Sequence, residues 1–204
     1  GGAQAYYLTI DSIVGGSTAD GHHGAFSIVD YKFDVSALAS AVSGGSGATK
    51  PTFSPLTVDL DLNSGLTALL GDVANGKHID SIELQGVAAD GTTVYDLKLG
   101  QVQITSYHDS NSGHDMLSFS YEQVSLTTTP QGSDGSPGTP STFSWNVATN
   151  TEGAAIPSPH IPAGDPTGGG GAQAYYLTID GIVGGSTADG HQGAFSIVDY
   201  KFDV

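Results

Sequence analysis

The sequence predicts a mainly β protein: a closed or nearly closed barrel with one short helix on its flank, followed by the first two strands of a second repeat. Three observations carry that prediction. Most segments place apolar residues at every second position, the mark of a strand with one buried face. One segment, with Leu66, Leu69, Leu70 and Val73, instead has the i, i+3, i+4, i+7 spacing of an amphipathic helix. Residues 1–35 recur as residues 170–204 with two substitutions, Ser12 replaced by Gly181 and His23 by Gln192.

The elements follow in chain order. Tyr6, Leu8 and Ile10 share one strand face; Ala25, Val29, Tyr31, Phe33 and Val35 share another. Ser36 to Pro55, rich in Ser, Gly and Ala, reads as a loop. Leu56, Val58, Leu60 and Leu62 alternate with Thr57, Asp59 and Asp61. Asn63 or Ser64 is the expected cap of the helix, and Asn75-Gly76 its expected end. A helix this short needs a sheet to pack on. Asp90-Gly91 is a hairpin turn signal. Tyr95, Leu97 and Leu99 give way past Gly100 to Val102 and Ile104, a parity switch that predicts a bulge or a barrel corner. Leu117, Phe119 and Tyr121 switch likewise to Val124 and Leu126, and Phe143, Trp145 and Val147 make the last strand. About seven strands of this kind stabilise one another best by closure.

The recurrence sets the domain plan: a barrel over 1–149, a linker over 150–171, and over 172–204 the first strand pair of the next repeat, or a swapped or donated hairpin. Four prolines make the linker's first part stiff, and the run Gly168 to Gly171 makes a hinge. A lone two-stranded hairpin is marginal in water, and near-identity with the first copy invites exchange between molecules. With no initiator Met and no signal peptide, the expectation is a piece of a longer tandem-repeat protein.

Five lysines, no arginine and 21 carboxylates give a net charge of −16. No cationic footprint exists for phosphates, which excludes nucleic acid as a partner and disfavours anionic membrane surfaces. No apolar run approaches the ~20 residues that insertion into a membrane requires. The absence of cysteine removes disulfides and thiolate metal sites.

Several stretches carry a family likeness. YLTIDSIVGGSTADGHHGAFSIVDYKFDV resembles the opening of the haemolysin-coregulated protein (Hcp) family of type VI secretion, with its first strand, G-x-S loop, His, and aromatic-rich second strand. PTFSPLTVDLDLNSGLTALLGDVANGKHI is similar to that family's strand, aspartate, helix and G-K-H strand entry, and STFSWNVATN to its closing strand with a Trp-Asn pair, here Trp145-Asn146. The likeness runs from Tyr6 to Asn150 and resumes at Tyr175. It implies an Hcp-like β-barrel of two sheets with one flanking helix. It also implies a non-enzymatic, secreted protein that forms rings stacking into tubes, with contacts at barrel edges and at the loop Ser36 to Pro55. Tandem repetition and strong acidity depart from the family, and suit an extracellular polymer of such units.

Candidate chemistry is sparse. His22, His23 and Asp20 offer imidazole and carboxylate for a transition metal, but the second copy reads DGHQG and loses one His. Asp59-Leu60-Asp61-Leu62-Asn63 begins like a calcium loop, then puts Gly one place late and Leu70 where Glu belongs. Asp109, Asn111 and Asp115, in an expected hairpin loop, have oxygen ligands at spacings a flexible calcium site can use. The plain alternative is turn chemistry. No cofactor is required, and the Asp109–Asp115 pattern admits calcium. There is no G-x-S-x-G elbow, no H-E-x-x-H, and no paired glutamates among Glu83, Glu122 and Glu152, so the protein reads as not an enzyme. The expectation is a secreted structural protein, extracellular or on the cell surface, whose partners are copies of itself head to tail, with neighbouring filaments or the cell surface beyond them. The alternatives are a type VI secretion tube subunit or effector carrier, and a cell-surface adhesion or ligand-binding repeat.

Overall fold

The alternating segments become strands that close on themselves. The computed structural model describes residues 2–37, 50–61, 65–163 and 174–204. β1 (Ala5–Ile10) and β2 (Phe26–Lys32) pair antiparallel, and β3 (Val35–Ser36) and β4 (Thr52–Phe53) pair at the base of the next excursion. β5 (Leu56–Asp61), α1 (Leu66–Asn75), β6 (His78–Val87) and the 18-residue β7 (Thr93–Ser110) follow. β8 (His114–Ser120), β9 (Gln123–Thr128), β10 (Ser141–Asn146) and β11 (Thr151–Glu152) complete the first unit. The second copy contributes β12 (Tyr175–Leu177), β13 (Phe195–Ile197) and β14 (Lys201–Asp203). The order β7-β6-β1-β2-β5-β8 returns to β7 and closes the barrel, while β9, β10 and β11 extend the sheet outward from β7.

Closure depends on β7 changing partners along its length. Its first half pairs with β6 and β9, its second with β8 and β14. Gln101, just past Gly100, has φ 54, and a bulge lies between Ile104 and Ser106. Each irregularity flips the inward parity, so that Leu97 and Leu99, then Val102 and Ile104, then Tyr107 are buried. A Cβ at Gly100 would lie 3.2 Å from Cβ of Gln123 and 3.3 Å from Cγ1 of Ile156, a tight approach of the neighbouring strand and the linker at this corner. The switch after Tyr121 has another origin: β8 ends there, and the chain crosses to a new strand, β9.

Two expectations are corrected. Ala25, Val29, Tyr31, Phe33 and Val35 do not share one face. A bulge between Ile28 and Asp30 turns Val29 outward, 56% exposed, so Phe26 and Ile28 face in before it, and Tyr31 and Phe33 pack on the core after it. Likewise β10 flanks the barrel without joining it; Trp145 packs against the core while Phe143 is exposed.

The helix forms where its spacing predicts, with Leu69 buried and Leu66, Leu70 and Val73 against the core. Gly76, at φ 59, ends it: its N–H bonds Val73 O at 3.1 Å, and that of Lys77 bonds Asp72 O at 3.0 Å. Asn63 and Ser64, the expected caps, lie outside the described residues, as do Leu62, most of the loop Ser36 to Pro55, and the run Gly168 to Gly171. The linker's described part hugs the barrel. Lys98 reaches Ser158 at 3.4 Å, the Ser12 N–H bonds His160 O at 2.8 Å, and the His160 N–H bonds Asp11 at 2.7 Å.

Candidate functional site

The β7–β8 hairpin carries the three residues predicted to hold calcium, where β5 and β7 end and β8 begins. Asp115 is 1% exposed, and the Tyr107 hydroxyl donates to its Oδ2. The Tyr200 hydroxyl donates to Asp109 Oδ2 at 3.0 Å, and the Asn111 amide donates to Val198 O at 2.7 Å. The second carboxyl oxygens of Asp109 and Asp115 are buried with no hydrogen-bond partner among the described residues. Burial, then the neighbouring Asp109, pushes the Asp115 carboxyl up to about 7, while the Tyr107 bond pulls the other way. Below about 7 the folded protein therefore keeps the Asp115 carboxyl protonated. Burial, and then Asp115, also raises the Tyr107 phenol.

Beside this pair, the second copy docks on the sheet. β14 adds to the far end of β7 with Lys201 opposite Ser110, Phe202 opposite Asp109 and Asp203 opposite His108. Tyr107 and Val204 exchange two backbone bonds, each 2.8 Å. His108 Nδ1 bonds Asp203, and with Lys201 holds that carboxyl below the usual carboxylate range. A cleft of about 470 Å³ remains between hairpin and strand, lined by His108, Asp109, His114, Met116, Tyr200 and Lys201.

The other candidates are not brought together. His22 stacks on Tyr7, ring centroids 4.3 Å apart, and burial lowers its pKa; His23 is exposed. Asp59 takes a hydrogen bond from His114 across β5 and β8. Among the described residues no three His, Cys, Asp or Glu side chains are grouped to hold a metal. What the site offers is a strand edge with polar anchors. Sequence reasoning found Asp109, Asn111 and Asp115 but missed Tyr107, His108 and the edge itself. Tyr107 is out of parity with Val102 and Ile104 and turns inward only through the bulge before Ser106, so no sequence signal marked it.

A family profile described as "Type VI secretion system effector, Hcp" matches residues 7–127. The chain is also similar to a solved "type six secretion system protein", at 22% identity and a TM-score of 0.68, covering 73% of this chain and 99% of that one. Hcp1 from Salmonella typhimurium is similar at 20% identity and a TM-score of 0.62, covering 74% and 99%. A type VI secretion system effector from Yersinia pestis is similar at 19% identity and a TM-score of 0.57, covering 70% and 99%. At these identities the structures show a shared fold. No curated protein matches.

Proposed function

This chain belongs to the type VI secretion effector family Hcp, and from that premise we propose that it is a non-catalytic, secreted structural protein that self-assembles through tandem Hcp-like domains into an extracellular filament or tube. One observation carries the reading. A barrel spanning nearly the full length of solved Hcp proteins is followed by a second copy of its own opening strands, docked on the first. Linked units raise one another's effective concentration, so weak contacts suffice. The charge of −16 keeps them dispersed until they meet. No helix among the described residues is long and apolar enough to cross a membrane. Calcium at Asp109, Asn111 and Asp115 is not required by this reading.

The second reading, a type VI tube subunit or effector carrier, is favoured by the 99% coverage of those structures. Cryo-electron microscopy of purified native protein, with and without a chelator, separates the two. Ordered fibres of repeating barrels support the polymer, and loss of order on chelation implicates the Asp109–Asp115 loop. Separate rings support the tube subunit. Isolated globules alone would sink both.

A further inference from the structure

Tyr31–Val35 and Tyr200–Val204 are the same five residues, and only the second set uses its outer backbone edge. In an antiparallel pair, successive residues point their N–H and C=O to opposite sides. Val204 exchanges both bonds with Tyr107, so Phe202, two residues earlier and opposite Asp109, faces β7 as well. In the first copy, Ser54 N donates to Asp34 O at 3.0 Å, which turns Asp34 and Lys32 toward β4 and β5. Phe33 and Val35, the equivalents of Phe202 and Val204, then face the opposite side. β1 pairs with β2 only at Phe26 to Ile28, so its ladder stops short of them. No backbone hydrogen bond reaches Phe33 among the described residues. Among the described residues, the edge that grips β7 in the second copy is left open in the first.

We propose that the far end of β7, Tyr107 to Ser110, is an acceptor for the Tyr31–Val35 edge of a second copy of this chain, so that barrels join head to tail by strand addition. This rests on the self-assembly reading and names its joint. Docking does not distort the donor. The Tyr175 and Tyr200 ring centroids lie 4.9 Å apart, as do those of Tyr6 and Tyr31 in the first barrel. The joint adds side-chain selectivity through Tyr200 to Asp109, Asn111 to Val198 O, and His108 to Asp203. Donor and acceptor lie at different places on one barrel, a heterologous arrangement that propagates as a ring or a filament. In this chain the tethered second copy fills the acceptor, because a short tether holds it at an effective concentration on the order of millimolar.

The test is to empty the acceptor. Phe202→Pro removes a backbone N–H from the ladder and leaves the first barrel intact, because Phe202 lies outside it and is half exposed. The full chain, whose acceptor is filled by its own second copy, should associate only at higher concentration than the variant. The variant should form concentration-dependent oligomers, and a peptide with the sequence of residues 198–204 should return them to monomer. A variant that stays monomeric up to about 1 mM, well into the range of tethered concentrations, overturns the proposal. Peptide binding without oligomers overturns it too, because the Tyr31–Val35 edge is then not a donor. Tubes formed equally by both proteins, unaffected by peptide, sink this joint and leave the self-assembly reading standing.

Discussion

Residues 2–35 and residues 174–204 carry nearly one sequence in two surroundings. Their loops are alike almost atom for atom. Gly15 N bonds Gly24 O at 2.7 Å, and Gly184 N bonds Gly193 O at 2.6 Å. Ser17 N to Ala25 O and Ser186 N to Ala194 O are both 2.9 Å. Tyr176 stacks on His191 at 4.1 Å as Tyr7 does on His22. Gly21 and Gly190 share left-handed φ values of 76 and 77. The strands differ. Leu8 is 0% exposed and Leu177 48%; β2 has seven residues and β13 three. Local turn chemistry survives without a barrel, because its partners lie within the copy itself. Strand burial does not, because its partners lie far along the chain.

The largest expected difference between the copies is in the core. Leu8→Ala should cost about 2–5 kcal/mol by chemical denaturation. Leu177→Ala should leave the barrel's midpoint unchanged. Equal losses would mean that the two copies fold as one unit.

A pH titration tests the pocket on which the second copy docks. The folded state holds the Asp115 proton to about 7, against an ordinary value of 3.8. Between these values it binds more protons than the unfolded chain, so stability falls as pH rises through the window and levels off above it. Glu83, raised to about 7 by burial and then by Asp96, adds to the same slope. Asp115→Asn should flatten part of the slope, and adding Glu83→Gln most of the rest. An unchanged slope would show that burial does not hold the Asp115 proton.

Smaller still is the loss of one anchor. Tyr200→Phe removes the bond to Asp109, a hydrogen bond to a carboxyl that is worth about 1–3 kcal/mol. Amide exchange at Val204 should speed up while thermal unfolding of the barrel holds. The smallest effect lies at the substituted turn. Ser12 sits at φ 67 where Gly181 sits at 73. Ser12→Gly should stabilise the barrel by roughly a few tenths of a kcal/mol, strain relieved against chain entropy added. Gly181→Ser should change only local exchange near Ile182.

Much of this molecule is readable from periodicity. The helix over Leu66–Asn75 follows from spacing, its end at Gly76 and the turn at Asp90-Gly91 from the conformations glycine permits, and the corner near Gly100 from the parity switch. The failures share a cause. The bulge at Val29 and the second one, before Ser106, leave no mark in composition, because a bulge is decided by the strand opposite. The Asp109–Asn111–Asp115 cluster was legible as polar groups at a hairpin. Its use was not, because Tyr107, Tyr200 and Val198 reach it from other elements.

The sequence by itself determined which segments alternate, the helix, the turns and the acidic surface, because each is settled by residues close together in the chain, and it displayed the duplication outright. Only the tertiary structure decided which strand closes the barrel, and that β7 serves two sets of neighbours. It alone decided that one five-residue segment builds a wall in one copy and grips a sheet edge in the other. Backbone N–H and C=O groups are the same in every residue, so an edge becomes a donor or an acceptor only when the folded neighbours leave it open.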